Sequence, residues 1–192
     1  MGKNRLNENI VFAIKLAVVL AIILGIANFI MQTRIAWITV DGNSMFPTLR
    51  NKETVIVSKT LRKDKPERFD IIVFETNLSE TGYYIKRVIG LPGEHVVIDD
   101  NGYIYINGKI IEEDYGYEQL LDAGRARIGV DLGEDEYFVL GDNRNHSEDS
   151  RFSIVGNISR EDILGIARIR ALPIEKYGYI DLYTERHQDD AQ

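Results

Sequence analysis

The sequence predicts a mainly β protein: an N-terminal transmembrane helix followed by a β-rich ectodomain that carries a small β insertion. Three observations lead there. Ile10–Met31 is an apolar stretch interrupted only by Lys15 and Asn28. Beyond it the chain breaks into short runs rich in Val, Ile, Tyr and Phe, bounded by turn formers. Asn101-Gly102 and Asn107-Gly108 stand between such runs, and both central positions of a type I′ hairpin turn need positive φ.

At about 1.5 Å per residue, a helix over Ile10–Met31 reaches roughly 33 Å, enough to cross a hydrocarbon core of ~30 Å. Lys15 lies near its start, where a four-carbon stem snorkels to the headgroups. A cleaved signal peptide would show a shorter run and an Ala-x-Ala site, and none occurs near residues 24–40. A buried helix of a soluble domain would carry a polar face. The stretch therefore reads as an uncleaved, single-pass anchor. Lys3, Arg5 and Lys15 favour a cytoplasmic N-terminus, while Arg34, Arg50 and Lys52 on the other side leave that preference mild.

Candidate strands follow at Ala36–Val40, Thr54–Ser58, Asp70–Glu75, Tyr83–Ile89, His95–Ile98, Tyr103–Ile106, Glu136–Leu140 and Ile163–Arg170. Within Tyr103–Ile106, alternation puts tyrosines on one face and isoleucines on the other. Only Glu113–Ala126 reads as a helix. The segments are then 1–9 as the N-terminus, 10–31 as the anchor, 35–90 with 135–182 as the main β domain, 91–134 as the insertion, and 185–192 as a polar, flexible tail.

Composition narrows the chemistry. The chain of 192 residues is 44% hydrophobic and 28% charged, as a folded protein should be, and its net charge of −7 argues against nucleic acid as a partner. No cysteine is present, which excludes disulfides, thiolate metal sites and a cysteine nucleophile. Sequons at Asn77, Asn145 and Asn157 matter only in a glycosylating compartment.

Ser44 sits in Asp41-Gly-Asn-Ser-Met-Phe-Pro-Thr-Leu49, directly after an apolar strand. By itself it reads as a turn serine; as a nucleophile it needs a base. His95, His146 and His187 have no triad-like neighbourhood. Lys86 is the other candidate, because it interrupts Tyr83–Ile89, a run otherwise suited to a buried strand. Desolvation there would lower its pKa from about 10.4 towards the range of a useful base. An edge-strand lysine guarding against aggregation is the competing reading. The polar loop Leu140–Arg151 offers Asp142, Asp149 and Arg151 as a salt-bridged frame and Ser147 as a hydroxyl able to hold an amine. Arg144 and His146 occupy positions where a calcium loop needs oxygen ligands.

In order and spacing, Ser44–Leu49, Asp70–Phe74, Tyr84–Gly93 and Gly141–Arg151, behind an anchor, resemble the bacterial type I signal peptidases of Gram-positive pattern. That resemblance implies a membrane-bound serine endopeptidase that removes signal peptides from exported preproteins after Ala-x-Ala-like residues. Ser44 would be the nucleophile and Lys86 the general base, acting through an acyl-enzyme. Ser147 would orient the lysine, and Asp142, Asp149 and Arg151 would brace the loop. The Ser44 N–H would be one oxyanion donor. Gly42, where some members carry a hydroxyl, leaves the second unidentified, and Asn145-His146 departs from the more common Asp-Asn.

Ile38, Val40, Met45, Tyr84 and Ile85 are the candidate substrate-pocket residues, with core packing as the alternative. Trp37 and Phe46 are candidates for the bilayer interface, and equally for the core. The resemblance further implies no metal or organic cofactor, signal peptides and the lipid bilayer as partners, no catalytic part for the insertion, and a catalytic domain on the extracytoplasmic face. A self-cleaving Ser/Lys repressor and a tethered binding module are the competing readings.

Overall fold

The computed structural model describes residues 2–59 and 65–180, with side chains described from residue 10 apart from 27 and 30–33. The chain divides into two compact units, Met1–Ala36 and Trp37–Gln192. The first is helix α1 (Gly2–Arg34). Its described large apolar side chains are 50% to 68% exposed, on every side of the helix. The expected anchor over Ile10–Met31 falls within α1. Among the described residues, however, no helix is long and apolar enough to cross a membrane.

The strands are β1 (Ile35–Thr39), β2 (Thr54–Ser58), β3 (Ile71–Glu75), β4 (Tyr83–Gly90), β5 (His95–Ile98), β6 (Ile104–Ile106), β7 (Lys109–Ile110), β8 (Val130–Asp131), β9 (Glu136–Leu140), β10 (Ile158–Ser159), β11 (Ile163–Leu172) and β12 (Gly178–Tyr179). The larger sheet has the order β1-β2-β11-β3-β4-β9-β10, with β12 added on β11; the smaller runs β7-β6-β5-β8. From β2 to β10 neighbouring strands pair antiparallel.

Strands β3 and β4 are covered on both faces, which is why their sequences are nearly continuous apolar runs rather than alternations. Ile71, Ile72, Val73 and Phe74 are all buried. On one face Ile72, Phe74, Val88, Val139 and Ile166 form a core; on the other Ile89, Phe138 and Leu140 pack against Val96, Ile98, Ile104 and Ile106 of the smaller sheet. The segment expected as an insertion thus shares a hydrophobic core with the main sheet. As alternation required, Ile104 and Ile106 are buried while Tyr103 is exposed.

Two local expectations need correction. Glu113–Ala126 is not an α-helix; only a 3-10 turn forms, at Gly124–Arg127. Its amides are engaged elsewhere: Tyr117 N–H donates to the Asp142 carbonyl and Leu121 N–H to Asn145 Oδ1. Asn107-Gly108 is a two-residue turn with φ of 51° and 77°, as expected, but Asn101-Gly102 is not. There only the glycine has positive φ, and the Asp99 carboxylate accepts the Asn101 and Tyr103 amides to shape a longer loop. Strands β7, β8, β10 and β12 are too short for any periodicity to reveal. The tail at 185–192, and His187 within it, lie outside the described residues.

Candidate active site

Ser44 sits in the turn between β1 and β2. Amides of Phe46 and Leu49 donate to the carbonyls of Asn43 and Met45, closing a compact turn, and Gly42 enters it at φ +88° with its N–H on Asn51 Oδ1. Arg170 of β11 holds the far end through the Thr48 carbonyl. From the opposite side, the amide of Asn143 donates to the Ser44 carbonyl and its side-chain amide to the Asn43 carbonyl. Ser44 is therefore gripped between two loops separated by about a hundred residues of sequence.

Lys86 lies on β4, with Ile72 of β3 opposite it on one side and β9 beyond on the other. This interior position decides between the two readings of the lysine: it does not guard an edge. Only 3% of Lys86 is exposed. Its Nζ is 2.8 Å from Ser44 Oγ, 3.1 Å from the Ile85 carbonyl and 4.7 Å from the centre of the Tyr84 ring. Burial lowers its pKa from 10.5 to about 8, and the carboxylates of Asp149, Glu148 and Asp142 limit the fall.

The loop after β9 carries two buried carboxylates, each paired with a guanidinium. Asp149 accepts from Arg151 Nε at 2.7 Å and Nη2 at 2.8 Å, and also holds the Gly141 amide. Arg151 then reaches the carbonyls of Arg144 and Asp122. Asp142 does not join this frame, contrary to the expectation of one salt-bridged set. It pairs with Arg87, Nε to Oδ1 at 2.8 Å and Nη2 to Oδ2 at 2.6 Å, and accepts the Thr48 hydroxyl at 2.5 Å.

Arg87 was missed by the sequence reading. Its signal was a second charge inside the same apolar run as Lys86, for which a strand interior requires a partner. Both side chains of this pair are fully buried. Tyr115 from the loop after β7 lies 3.8 Å from the Arg87 guanidinium, and Glu113 pairs with Arg144 at 2.6 Å. The 91–134 segment, expected to take no catalytic part, therefore braces both charged pairs' surroundings.

The Ser147 hydroxyl is buried and has no hydrogen-bond partner among the described residues, Lys86 included. It stands beside the nucleophile's turn all the same. A Cβ placed on Gly141 would collide with Ser147 Oγ and come within 2.5 Å of the Ser44 carbonyl. No described group accepts the Ser44 N–H.

A groove of about 400 Å³ opens over the serine and lysine. All five candidate pocket residues, Ile38, Val40, Met45, Tyr84 and Ile85, line it. Val40, Met45 and Ile85 are buried, whereas Glu148 and His146 stand exposed on the wall. Trp37 is 56% exposed on the same groove, while Phe46 meets Tyr117 edge-on at 4.8 Å. His95 is remote from this chemistry, on Asp131. No cluster of potential metal ligands occurs among the described residues.

A serine hydroxyl within hydrogen-bond reach of a desolvated lysine can be activated without a histidine or a metal, since neutral amine accepts its proton. An extended peptide can lie in the groove between the segments of β1 and β4 that form its walls. Comparison with known proteins gives the family. Residues 13–172 match the family "Signal peptidase, peptidase S26". The chain is 36% identical over 177 residues to probable signal peptidase I-2 of Synechocystis, covering 88% of this chain and 75% of that one. It is 36% identical to signal peptidase I S of Bacillus subtilis, covering 85% and 88% of the two chains. A crystal structure of a signal peptidase I from Enterococcus faecalis is 37% identical, covers 54% of this chain and 97% of that one, and superposes with a TM-score of 0.44.

Proposed function

The chain belongs to the signal peptidase family, peptidase S26, and from that premise we propose that it removes signal peptides from exported preproteins with Ser44 as nucleophile and Lys86 as general base. One observation carries the assignment of the dyad: a lysine with 3% exposure holds its Nζ 2.8 Å from a serine hydroxyl at the floor of a peptide-sized groove. Neutral Lys86 takes the Ser44 proton as Oγ attacks the scissile carbonyl. The ammonium so formed protonates the leaving amine. Lys86 then activates a water that releases the acyl group from Ser44.

The Ser44 N–H supplies a fixed dipole for the oxyanion. Asp142, Asp149 and Arg151 act through geometry, by holding the loop whose Asn143 amide grips the Ser44 carbonyl. Ser147, whose buried hydroxyl stands beside the nucleophile's turn, orients the lysine. Val40, Met45 and Ile85 form the apolar floor that suits small side chains at −1 and −3, with Ile38 and Tyr84 at its sides.

The proposal includes Ile10–Met31 as a membrane anchor, with 1–9 cytoplasmic and the β domain on the extracytoplasmic face. Support comes from the apolar side chains exposed all around α1, since a helix of that kind is stable only when covered. The test is cleavage, in detergent, of a preprotein with Ala-x-Ala at its junction, the product being mapped by mass. Intact protein should cut after the second Ala, and Ser44→Ala and Lys86→Ala should be folded and inactive. Full activity in Lys86→Ala would refute the dyad; no cleavage by intact protein would refute the peptidase.

A further inference from the structure

The groove carries a carboxylate that the reaction does not use. Glu148 lies on its wall and is exposed to solvent. Its Oε2 accepts the Tyr84 hydroxyl at 2.8 Å, and no Lys, Arg or His forms an ion pair with it among the described residues. The Tyr84 bond pins the carboxylate beside the ring that also covers Lys86 Nζ. The other acidic group on the groove, Asp41, is neutralised by Lys52 at 3.0 Å. When Lys86 is in its working, neutral state, Glu148 is the one carboxylate of the groove without a cationic partner among the described residues.

An extended peptide alternates its side chains, so small residues at −1 and −3 that face the floor turn the residue between them towards the rim. The floor is Val40, Met45 and Ile85; the rim on the lysine side is Tyr84 with Glu148. We propose that Glu148 is a specificity-determining residue that makes the −2 position prefer a basic side chain and reject an acidic one. This rests on the peptidase reading above and adds to it a charge preference, beyond the rule of small residues at −1 and −3. A Lys or Arg at −2 brings its cation to the Oε1 side of Glu148, which takes no hydrogen bond from the described residues. An acidic side chain meets repulsion at the same place.

Three peptides identical except for Gln, Lys or Glu at −2, with Ala at −1 and −3, test the proposal on the full chain in detergent. A single charge a few ångströms away across a mostly aqueous gap is worth a few-fold either way, so the kcat/KM ratio of the Lys peptide to the Glu peptide should be about tenfold at low salt. It should shrink as salt screens the exposed carboxylate. In Glu148→Gln the ratio should fall to near one, and in Glu148→Lys it should invert. Using ratios keeps the result independent of any general loss of rate through Tyr84. Cleavage of the Gln peptide with no Lys-over-Glu preference in the intact protein, or with the same preference in Glu148→Gln, overturns this proposal alone. Failure of all three peptides overturns the peptidase reading with it.

Discussion

The rate of this enzyme should rise with pH along a single limb set by Lys86. Only the neutral amine can accept the Ser44 proton, and burial brings its pKa from 10.5 down to about 8. At pH 7 about a tenth of the enzyme then holds a neutral lysine, against roughly 0.03% for a lysine in water, a gain of about 300-fold in competent enzyme. Between pH 7 and pH 9 the neutral fraction climbs about tenfold and then levels. The assay is kcat/KM from pH 6 to pH 10 with an Ala-x-Ala peptide lacking titratable groups near the cut, so that the limb reports the free enzyme. A plateau already reached by pH 7 would point to a base other than Lys86. A limb still climbing at pH 10 would mean that the amine is hydrated. Either result would refute the dyad as derived from burial.

The same lysine should cost stability in a pH-dependent way. Below about pH 8 it is charged in both folded and unfolded chains and the full penalty of burying the cation is present. From there to pH 10.5 the unfolded chain binds more protons, so stability rises with pH. Lys86→Met should therefore raise Tm most at neutral pH, by up to about 3 kcal/mol of stability, with the advantage fading above pH 8; equal Tm shifts at pH 7 and pH 10 would contradict it. Arg87→Met leaves Asp142 buried without its partner and should cost about 3–5 kcal/mol in denaturant unfolding, with Arg87→Lys in between. Gly141→Ala forces a methyl group between Ser147 and the Ser44 carbonyl. The displaced nucleophile should lower kcat by about a hundredfold, while far-UV circular dichroism stays unchanged. Unaltered kcat in Gly141→Ala would show that the turn has slack.

Much of the fold was legible because its strands are long enough to carry a pattern. Five-residue β2 and β9 coincide with their expected limits, and the apolar run at Asp70–Glu75 holds β3. The two-residue strands were not legible, since pairing alone creates them. The Glu113–Ala126 segment misled for a related reason: its propensity is helical, but its amides are claimed by Asp142 and Asn145, residues distant in sequence.

For the site, the residue types and their order were enough to single out Ser44 and Lys86 and the loop at Gly141–Arg151. Composition and the absence of cysteine had already narrowed the chemistry. Whether Lys86 is a base at all was beyond the sequence, because a lysine in an apolar run is either an exposed edge residue or a buried one. The strand order β3-β4-β9 excluded the edge, and the covering of its face, which leaves Lys86 3% exposed, cut the amine off from water. The partnership of Arg87 with Asp142 was likewise decided only in space, 55 residues apart. A charge inside a strand announces that it needs a counter-charge, but only the tertiary contact names which one, because ion pairing acts through distance and dielectric rather than along the chain.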